Sequence, residues 1–305
     1  MRPEPGAGRP GAPIRPAVVG PAVVGPAVVG PVVVGPAVVG PAVVELAAPA
    51  KLTLSLRVIG AGADGYHLLD AEMVNVDLDD TLSISPGDGL EVVDEGAGTM
   101  GHGTVPADAS NLVARALVLV GRRAHVRLVK RIPAGAGLGG GSADAAAVLH
   151  WAGASGPGGL AMAAQLGSDV PFCWAGEGRA RVRGTGQVLE LLPWDEVAGR
   201  AYTLLVPPFG VSTAAVYRAW DELGGPVSDN FNDLEPAALR VEPRLAEWRD
   251  RLGDATGHRP LLAGSGSTWF VPGEYPGQGR VVVRAARPLG AGGATPPERS
   301  GGTTT

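Results

Sequence analysis

Residues 133–142, which read Pro-Ala-Gly-Ala-Gly-Leu-Gly-Gly-Gly-Ser, are the part of the chain best suited to chemistry. An alternating run at 124–130 precedes them and an alanine-rich run at 142–151 follows, which predicts a strand, a loop and the start of a helix. The backbone N–H groups of such a loop and of the first helical turn point at one spot, where the helix dipole adds partial positive charge. Glycine keeps these groups accessible because no Cβ stands in front of them. The segment therefore predicts a site for a phosphate-bearing ligand.

Two familiar phosphate-loop motifs do not describe this segment. Gly135, Gly137 and Gly140 fit the G-x-G-x-x-G spacing of dinucleotide-binding folds. Residues 154–159, however, lack the acidic residue that such folds carry about 20 positions further on. A P-loop needs a lysine before its serine, and Gly141 stands there instead. The loop can therefore cradle a phosphate, but a neutralising cation must come from elsewhere. A flexible glycine linker is the alternative, which the helix that follows directly makes less favourable.

Three other short segments carry residues that could act on a phosphate. Lys51 opens an apolar strand, Asp169 stands in a Gly-Ser-Asp-Val-Pro sequence, and residues 262–268 form a second loop of small residues. Taken singly, each has an ordinary structural explanation: a solvated strand end, a turn aspartate and a turn. Their functional meaning depends on their being taken together.

The elements that would position these residues mix strands and helices without regular alternation. Residues 51–58 alternate strictly between apolar and polar side chains, as in a half-buried strand. This order favours an α+β architecture in two lobes. The pattern predicts further strands at 74–78, 81–85, 124–130, 170–174, 180–182, 188–191, 202–206, 267–271 and 280–286, of which the first two are joined tightly at Asp79 and Asp80. It predicts helices at 111–120, 142–151, 160–166, 212–223 and 236–252, with Ser110 as the N-cap of the first.

Composition excludes several classes of protein. The net charge of −5 gives no support to a nucleic-acid-binding surface. A single cysteine, Cys173, excludes a disulfide framework and a cysteine metal site, and the five histidines lack zinc-ligand spacing. A reducing cytoplasm is the expected compartment.

An apolar repeat of Pro-Ala-Val-Val-Gly fills residues 16–45. Proline at every fifth position rules out a continuous membrane-spanning helix, and the repeat resembles elastin-like sequence that cannot build a core. We therefore expect residues 1–47 to be a disordered extension and residues 290–305 a disordered tail. Residues 48–194 and 195–289 are expected to form the two lobes.

Four segments, taken in order, resemble the GHMP kinase superfamily of small-molecule kinases: Pro-Ala-Lys at 49–51, the glycine loop at 133–142, Gly-Ser-Asp-Val-Pro at 167–171 and Gly-Ser-Gly-Ser at 264–267. Two segments, Ala-Asp-Gly-Tyr-His at 63–67 and Gly-Ser-Asp-Val-Pro at 167–171, are similar to motifs of one branch of this superfamily. That branch phosphorylates 4-diphosphocytidyl-2-C-methylerythritol in the non-mevalonate isoprenoid pathway. The resemblance covers nearly all of residues 48–289. It implies an N-terminal lobe like domain 2 of ribosomal protein S5 and a ferredoxin-like C-terminal lobe.

The resemblance also implies roles for individual residues. Asp169 would be the catalytic base for the acceptor hydroxyl, and Lys51 beside it would supply the cation that the glycine loop lacks. Ser142 would contact a phosphate or Mg²⁺, while Tyr66 and His67 would offer a flat face and a polar group to a cytosine ring. The residues expected to bind ATP are Pro133, Ala134, Gly135, Ala136, Gly137, Leu138, Gly139, Gly140, Gly141, Ser142 and Ala143, and those expected at the substrate are Tyr66, His67, Gly264 and Ser265.

The expected partners are ATP, Mg²⁺ and a small cytidine-diphosphate substrate, with no nucleic acid and no membrane, in a monomer or a homodimer. Two alternatives stay open: another GHMP kinase of the homoserine or mevalonate type, and a catalytically impaired kinase-like protein. Departures from the family pattern leave the second open. Thr53 replaces an asparagine, residues 152–159 are shortened, and residues 272–279 are rich in proline and glycine where a helix is expected.

Overall fold

Residues 43–62, 65–96 and 105–287 are described by a computed structural model, in which they form two β-sheets covered by helices. The strands are β1 (Val44–Ala61), β2 (His67–Ser85), β3 (Gly89–Asp94), β4 (His125–Lys130), β5 (Arg179–Gly184), β6 (Val188–Leu191), β7 (Ala201–Leu205), β8 (Leu261–Leu262), β9 (Trp269–Pro272) and β10 (Arg280–Arg284). The helices are α1 (Leu112–Leu119), α2 (Gly140–Trp151), α3 (Gly156–Leu166), α4 (Val170–Ala175), α5 (Thr213–Glu222), α6 (Glu235–Val241) and α7 (Leu245–Thr256). The expected α+β class is confirmed.

The larger sheet forms the N-terminal lobe, with strand order β3-β4-β2-β5-β6 and β1 paired to β2. The hairpin of β1 and β2 runs from Val44 opposite Ile84 to Ala61 opposite His67, so Lys51 lies near its middle. Helix α2 packs on both strands, and residues 143–149 of this helix are all buried. Most of them are alanines, whose small side chains let a helix approach a sheet closely. The glycine loop before α2 is therefore anchored on the central strands of the lobe.

The smaller sheet forms the C-terminal lobe, with strand order β10-β7-β9-β8 and every neighbouring pair antiparallel. In chain order this is the 4-1-3-2 arrangement of a ferredoxin-like lobe. The described residues between β9 and β10 form a loop instead of the expected helix. The hydroxyl of Thr203 holds this loop, because it donates to the Gly273 carbonyl at 2.8 Å and accepts from the Tyr275 N–H at 2.9 Å.

The strand predicted at residues 170–174 is wrong, because this segment is helix α4. A short apolar run has no periodicity that separates a strand from a buried helix. Pro171 fits the first turn of a helix, where its missing N–H is not needed. Asp169 becomes the N-cap residue of α4 rather than a residue before a strand.

Three other predicted elements differ in the structure. Residues 74–78 and 81–85 belong to one strand, β2, in which Asp79 and Asp80 pair with β1 instead of turning the chain. The cap of α1 is Asn111 rather than Ser110, since its side chain accepts from the Val113 N–H at 2.9 Å. Residues 236–252 form two helices, α6 and α7, because proline interrupts the run at position 243. The sequence pattern missed the short strands β3 and β8.

The first strand begins at Val44, so residues 44–47, which were expected to belong to the extension, pair with β2. Residues 1–42 and 288–305 lie outside the described residues, as do positions 63 and 64 of the Ala-Asp-Gly-Tyr-His motif. The larger sheet ends with β6 and the smaller begins with β7, on either side of the predicted lobe boundary at 194/195. Within the three described ranges, no helix has the length and apolar character needed to span a membrane.

Candidate active site

Two loops of small residues pack against each other where the lobes meet. We refer to residues 133–142 as the first glycine loop and to residues 262–268 as the second glycine loop. Gly137 has φ +78°, and a Cβ on it would lie 2.2 Å from the Ala263 carbonyl oxygen. Only glycine meets both requirements, since other residues rarely adopt this φ and none would fit the space. The Thr268 N–H, which donates to the Ala136 carbonyl at 3.1 Å, adds a backbone contact between the loops.

The first glycine loop lines a cleft of about 400 Å³, called here the glycine-loop cleft. The N-cap of α2 is Gly139, with φ +70°, and the helix begins at Gly140. All ten residues from 133 to 142 line this cleft, and the side chain of Ser142 is partly exposed there. Ala143 is buried in α2 and is not one of the described residues that line the cleft. Asp169 lies at its edge.

The fold brings Lys51 and Asp169 together, as the resemblance implied. The Lys51 Nζ atom lies 3.3 Å from Oδ2 of Asp169, and the two side chains are 4% and 29% exposed. The side chain of Lys51 runs beneath Gly139, where a Cβ would approach its Cγ to 2.7 Å. The Lys51 ammonium also donates to the Thr53 hydroxyl at 3.0 Å, so the residue that replaces the expected asparagine still accepts a hydrogen bond from the lysine.

A second cleft of about 680 Å³, the hairpin cleft, lies beside the end of the β1–β2 hairpin. Tyr66 and His67 both line it, and Tyr66 is 68% exposed. Tyr217 of α5, which sequence reasoning missed, lines the same cleft and stacks on His67 with ring centroids 4.8 Å apart. The Nε2 atom of His67 lies 2.8 Å from Oδ1 of Asp221. Helix α5 therefore fixes the imidazole ring on two sides.

The two clefts meet at Asp169 and Thr213. Thr213 lines both clefts, and Asp169 lines the first while its neighbour Ser168 lines the second. The Ser265 hydroxyl is buried and lies 2.8 Å from the Thr213 hydroxyl. Gly264 is absent from the described lining of both clefts, but a Cβ on it would lie 3.5 Å from Lys51 Nζ. These two predicted substrate residues thus lie behind the junction of the clefts.

Sequence reasoning missed a buried ionic cluster beneath the first glycine loop. The Lys130 ammonium donates to Asp144 at 2.7 Å and to Asp80, and all three side chains are buried. Oδ1 of Asp80 also accepts from the Arg131 N–H at 2.6 Å and the Ile132 N–H at 2.9 Å, which fixes the entry to the loop. A signal was present in the sequence: Lys51 and Lys130 are the two lysines of the chain, whose other basic side chains are arginines or histidines.

The charges of this cluster are strongly perturbed. Burial raises the pKa of Asp144 to about 7, against the opposing effect of Lys130. Burial disfavours the charged form of Lys130, but the two carboxylates outweigh it and raise the pKa of that ammonium. Oδ1 of Asp144 has no hydrogen-bond partner among the residues that the structure describes.

We expect Asp144→Asn to remove part of the pH dependence of stability. A folded-state pKa near 7, against an ordinary value of 3.8, means that the folded protein holds the Asp144 proton between these pH values while the unfolded chain releases it. The contribution of this group is therefore fully present below pH 4 and lost as the pH rises through 7. As the pH rises over this interval, the melting temperature of the wild type should fall relative to that of Asp144→Asn. Parallel melting curves across the interval would contradict the assignment.

Comparison with known proteins supports the kinase resemblance. Residues 111–177 match the model of the GHMP kinases N terminal domain. The 4-diphosphocytidyl-2-C-methyl-D-erythritol kinase of Pelotomaculum thermopropionicum is 39% identical over 258 residues, which cover 73% of this chain and 86% of that protein. The kinase of the same name from Paracoccus denitrificans is 38% identical over 243 residues, with coverage of 73% and 85%.

A solved structure agrees with the sequence comparison. The crystal structure of a 4-(cytidine 5'-diphospho)-2C-methyl-D-erythritol kinase is 34% identical and superimposes with a TM-score of 0.58, covering 76% of this chain and 91% of that one. The described fold, with its two lobes and its glycine loop between β4 and α2, is thus that of the relatives. The chain belongs to the GHMP kinases, in the family of 4-diphosphocytidyl-2-C-methyl-D-erythritol kinases, and is a small-molecule kinase.

Proposed function

We propose that this kinase transfers the γ-phosphoryl group of ATP to the 2-hydroxyl of 4-diphosphocytidyl-2-C-methyl-D-erythritol, a precursor in non-mevalonate isoprenoid synthesis. The observation that carries the proposal is the ion pair of Lys51 and Asp169 at the junction of two clefts. One cleft offers backbone N–H groups that suit phosphates, and the other offers aromatic side chains that suit a base. The names of the relatives support the same acceptor.

In this proposal Asp169 accepts the proton of the acceptor hydroxyl as the hydroxyl oxygen attacks the γ-phosphorus of ATP, the bond from that phosphorus to the bridging oxygen breaks, and ADP leaves. A base in such a position typically contributes about 10²–10⁴-fold to the rate. Lys51, 3.3 Å away, holds the carboxylate in place and offsets negative charge that develops on the transferred group. The Thr53 hydroxyl accepts from the same ammonium at 3.0 Å, so the lysine needs little rearrangement during the reaction.

The glycine-loop cleft fits the phosphates of ATP. Its glycines leave N–H groups uncovered, and its volume of about 400 Å³ lies in the range of small-molecule sites. Mg²⁺ is usually bound by one or two carboxylates together with substrate phosphates. The side-chain oxygens that line the cleft include the Asp169 and Asp144 carboxylates and the Ser142 hydroxyl, of which Asp169 and Ser142 would hold the metal in this proposal. The metal, when bound, would neutralise charge on the phosphates.

The hairpin cleft fits a cytosine ring better than a uracil ring. The tautomer of His67 that carries its proton on Nε2 donates to the Asp221 carboxylate and leaves Nδ1 as an acceptor. Such an acceptor matches the exocyclic amino group of cytosine, whereas uracil has a carbonyl oxygen at this position. Tyr66 and Tyr217 line the same cleft, and aromatic side chains suit stacking on a base.

The two alternatives receive less support. Homoserine and mevalonate carry no aromatic base, so the cleft lined by Tyr66, His67 and Tyr217 would serve no purpose for them. An impaired enzyme was suggested by the segments at 152–159 and 272–279. The first nevertheless contributes to the start of α3, and the second is held by Thr203, so both segments still support an ordered lobe.

We further propose that the enzyme works in a reducing cytoplasm on soluble substrates, as a monomer or a homodimer. The lone thiol, Cys173, is buried behind the site, and burial raises its pKa. A raised pKa keeps the thiol protonated and unreactive, which is consistent with a structural role.

A substrate panel tests the proposal. ADP release and phosphoester formation would be measured with ATP, Mg²⁺ and one acceptor at a time: the cytidyl substrate, its uridine analogue, homoserine and mevalonate. We expect efficient turnover of the cytidyl substrate and at least about tenfold lower kcat/KM for the uridine analogue, the loss of about one hydrogen bond. Faster turnover of homoserine or mevalonate would refute the proposed acceptor. A chain that lacks residues 1–42 keeps β1 intact and should retain the activity.

A further inference from the structure

A short segment before α6 ties the C-terminal lobe to the strand that carries Lys51. The Leu56 N–H of β1 donates to the Phe231 carbonyl at 2.7 Å, and the Asp233 N–H donates to the Leu56 carbonyl at 3.0 Å. Phe231 has φ +60°, a conformation that a bulky residue rarely adopts. Such a backbone persists where the surroundings impose it, and here it lets its carbonyl reach β1.

The carboxylate of Asp233 strengthens this connection. It is buried and accepts from the Arg57 guanidinium at 2.7 Å and from the Val58 N–H at 3.0 Å. It also accepts from the Ser228 N–H of its own segment at 2.9 Å. The residue before it, Asn232, is thereby held at a fixed distance from β1.

The carboxamide of Asn232 points the other way, to the second glycine loop. Its Nδ2 donates to the carbonyl of Leu262 at 2.8 Å and to that of Gly264 at 2.7 Å. Its Oδ1 accepts from the Leu234 N–H at 3.0 Å, which fixes the orientation of the amide group. Both ends of this buried carboxamide are therefore satisfied, and the loop is held by one side chain at two carbonyls.

We infer that Asn232 is a positioning residue for phosphoryl transfer. It holds the second glycine loop in a fixed position relative to β1. This loop lies beside the reacting centre, because a Cβ on Gly264 would lie 3.5 Å from Lys51 Nζ and the Ser265 hydroxyl is hydrogen-bonded to Thr213. A shift of the loop would displace the ammonium and the junction of the two clefts. Misplacement of reacting groups by about 1 Å costs about 10²-fold in rate.

The first glycine loop has anchors that do not involve Asn232 or the second glycine loop. The Lys51 N–H donates to the Leu138 carbonyl at 2.9 Å, and the Asp80 carboxylate accepts from the Ile132 N–H at 2.9 Å where the chain enters the loop. Loss of the Asn232 carboxamide should therefore reduce kcat much more than it weakens nucleotide binding. This split distinguishes a positioning role from a general loss of folded protein.

Asn230 provides a matched control two residues away. It is as buried as Asn232, at 3% exposure, and its Nδ2 also donates twice, to Glu235 at 2.7 Å and to the Pro260 carbonyl at 3.0 Å. Neither of these partners belongs to the second glycine loop. Asn230→Ala should therefore lower the melting temperature about as much as Asn232→Ala, without the loss of turnover.

The experiment compares Asn232→Ala, Asn232→Ser and Asn230→Ala in the full-length chain. We expect kcat to fall about 10²-fold in Asn232→Ala, to recover partly in Asn232→Ser, which keeps one donor, and to stay near the wild-type value in Asn230→Ala. The Kd of a non-hydrolysable ATP analogue should change less than threefold in all of them, about 0.7 kcal/mol or less. Measurement at a temperature well below each melting point keeps the proteins folded, and the serine variant retains a test if the alanine variant does not fold.

This inference rests on the kinase function proposed above, so the comparison uses the acceptor that the wild type turns over in the panel. If the wild-type enzyme turns over another acceptor better, the proposed substrate is refuted. The comparison of the Asn232 and Asn230 variants remains valid, because it then uses that other acceptor. Equal losses of kcat in Asn230→Ala and Asn232→Ala, or an unchanged kcat in Asn232→Ala, would overturn the positioning role. A parallel loss of nucleotide affinity and kcat in Asn232→Ala would also overturn it, since it would indicate general damage to the site.

Discussion

Asp169→Asn is expected to abolish turnover while leaving nucleotide binding intact. The asparagine side chain has nearly the same shape as that of aspartate, so it can still occupy the N-cap position of α4 beside Lys51. It cannot accept the proton of the acceptor hydroxyl, and loss of a placed base typically costs about 10²–10⁴-fold. Steady-state kcat would be measured with the cytidyl substrate, and the Kd of a non-hydrolysable ATP analogue would be measured by titration calorimetry.

Asp229→Asn is the control for this substitution. Asp229 is 84% exposed and pairs with Arg259 on the surface, so its loss should change neither kcat nor affinity. Near-normal kcat in Asp169→Asn would remove Asp169 from the role of base.

The first glycine loop could be predicted because its information is local. Residues 133–142 combine a strand end, a run of glycines and a helix start within one short segment, and the structure keeps that order from β4 to α2. The partners of the loop are distant in sequence. The proximity of Lys51 and Asp169 followed from the family resemblance, since no pattern within β1 or α4 specifies that these two elements meet.

The errors have a common physical origin. The sequence pattern predicts a tight connection at Asp79 and Asp80, yet Asp80 lies within β2 and binds the Lys130 ammonium. A buried carboxylate is tolerable only when it is paired, and its partner is 50 residues away in sequence. Asn232 escaped notice for the same reason, since its role depends on two carbonyls of the second glycine loop. Polar residues inside the core are defined by their partners, which periodicity does not reveal.

Lys51→Met is expected to reduce turnover about 10²–10³-fold, the usual cost of removing one group that stabilises developing charge. Methionine preserves an unbranched apolar stem beneath Gly139, so the first glycine loop should keep its position. The substitution therefore isolates the ammonium, whose contacts are Asp169 at 3.3 Å and Thr53 at 3.0 Å. Nucleotide affinity, measured with the same non-hydrolysable analogue, should fall much less than kcat.

Three further variants separate charge from packing at this position. Lys51→Ala also removes the stem, so it should add a loss of nucleotide affinity to the loss of kcat. Lys51→Arg keeps the charge but brings a larger planar group into a site with 4% exposure, so it should not restore the activity. Arg123→Met removes a positive charge that is 81% exposed and should leave both quantities unchanged. The loss of a group that is needed only in the transition state lowers kcat selectively. If the nucleotide affinity of Lys51→Met fell as far as its kcat, the ammonium would serve nucleotide binding rather than phosphoryl transfer.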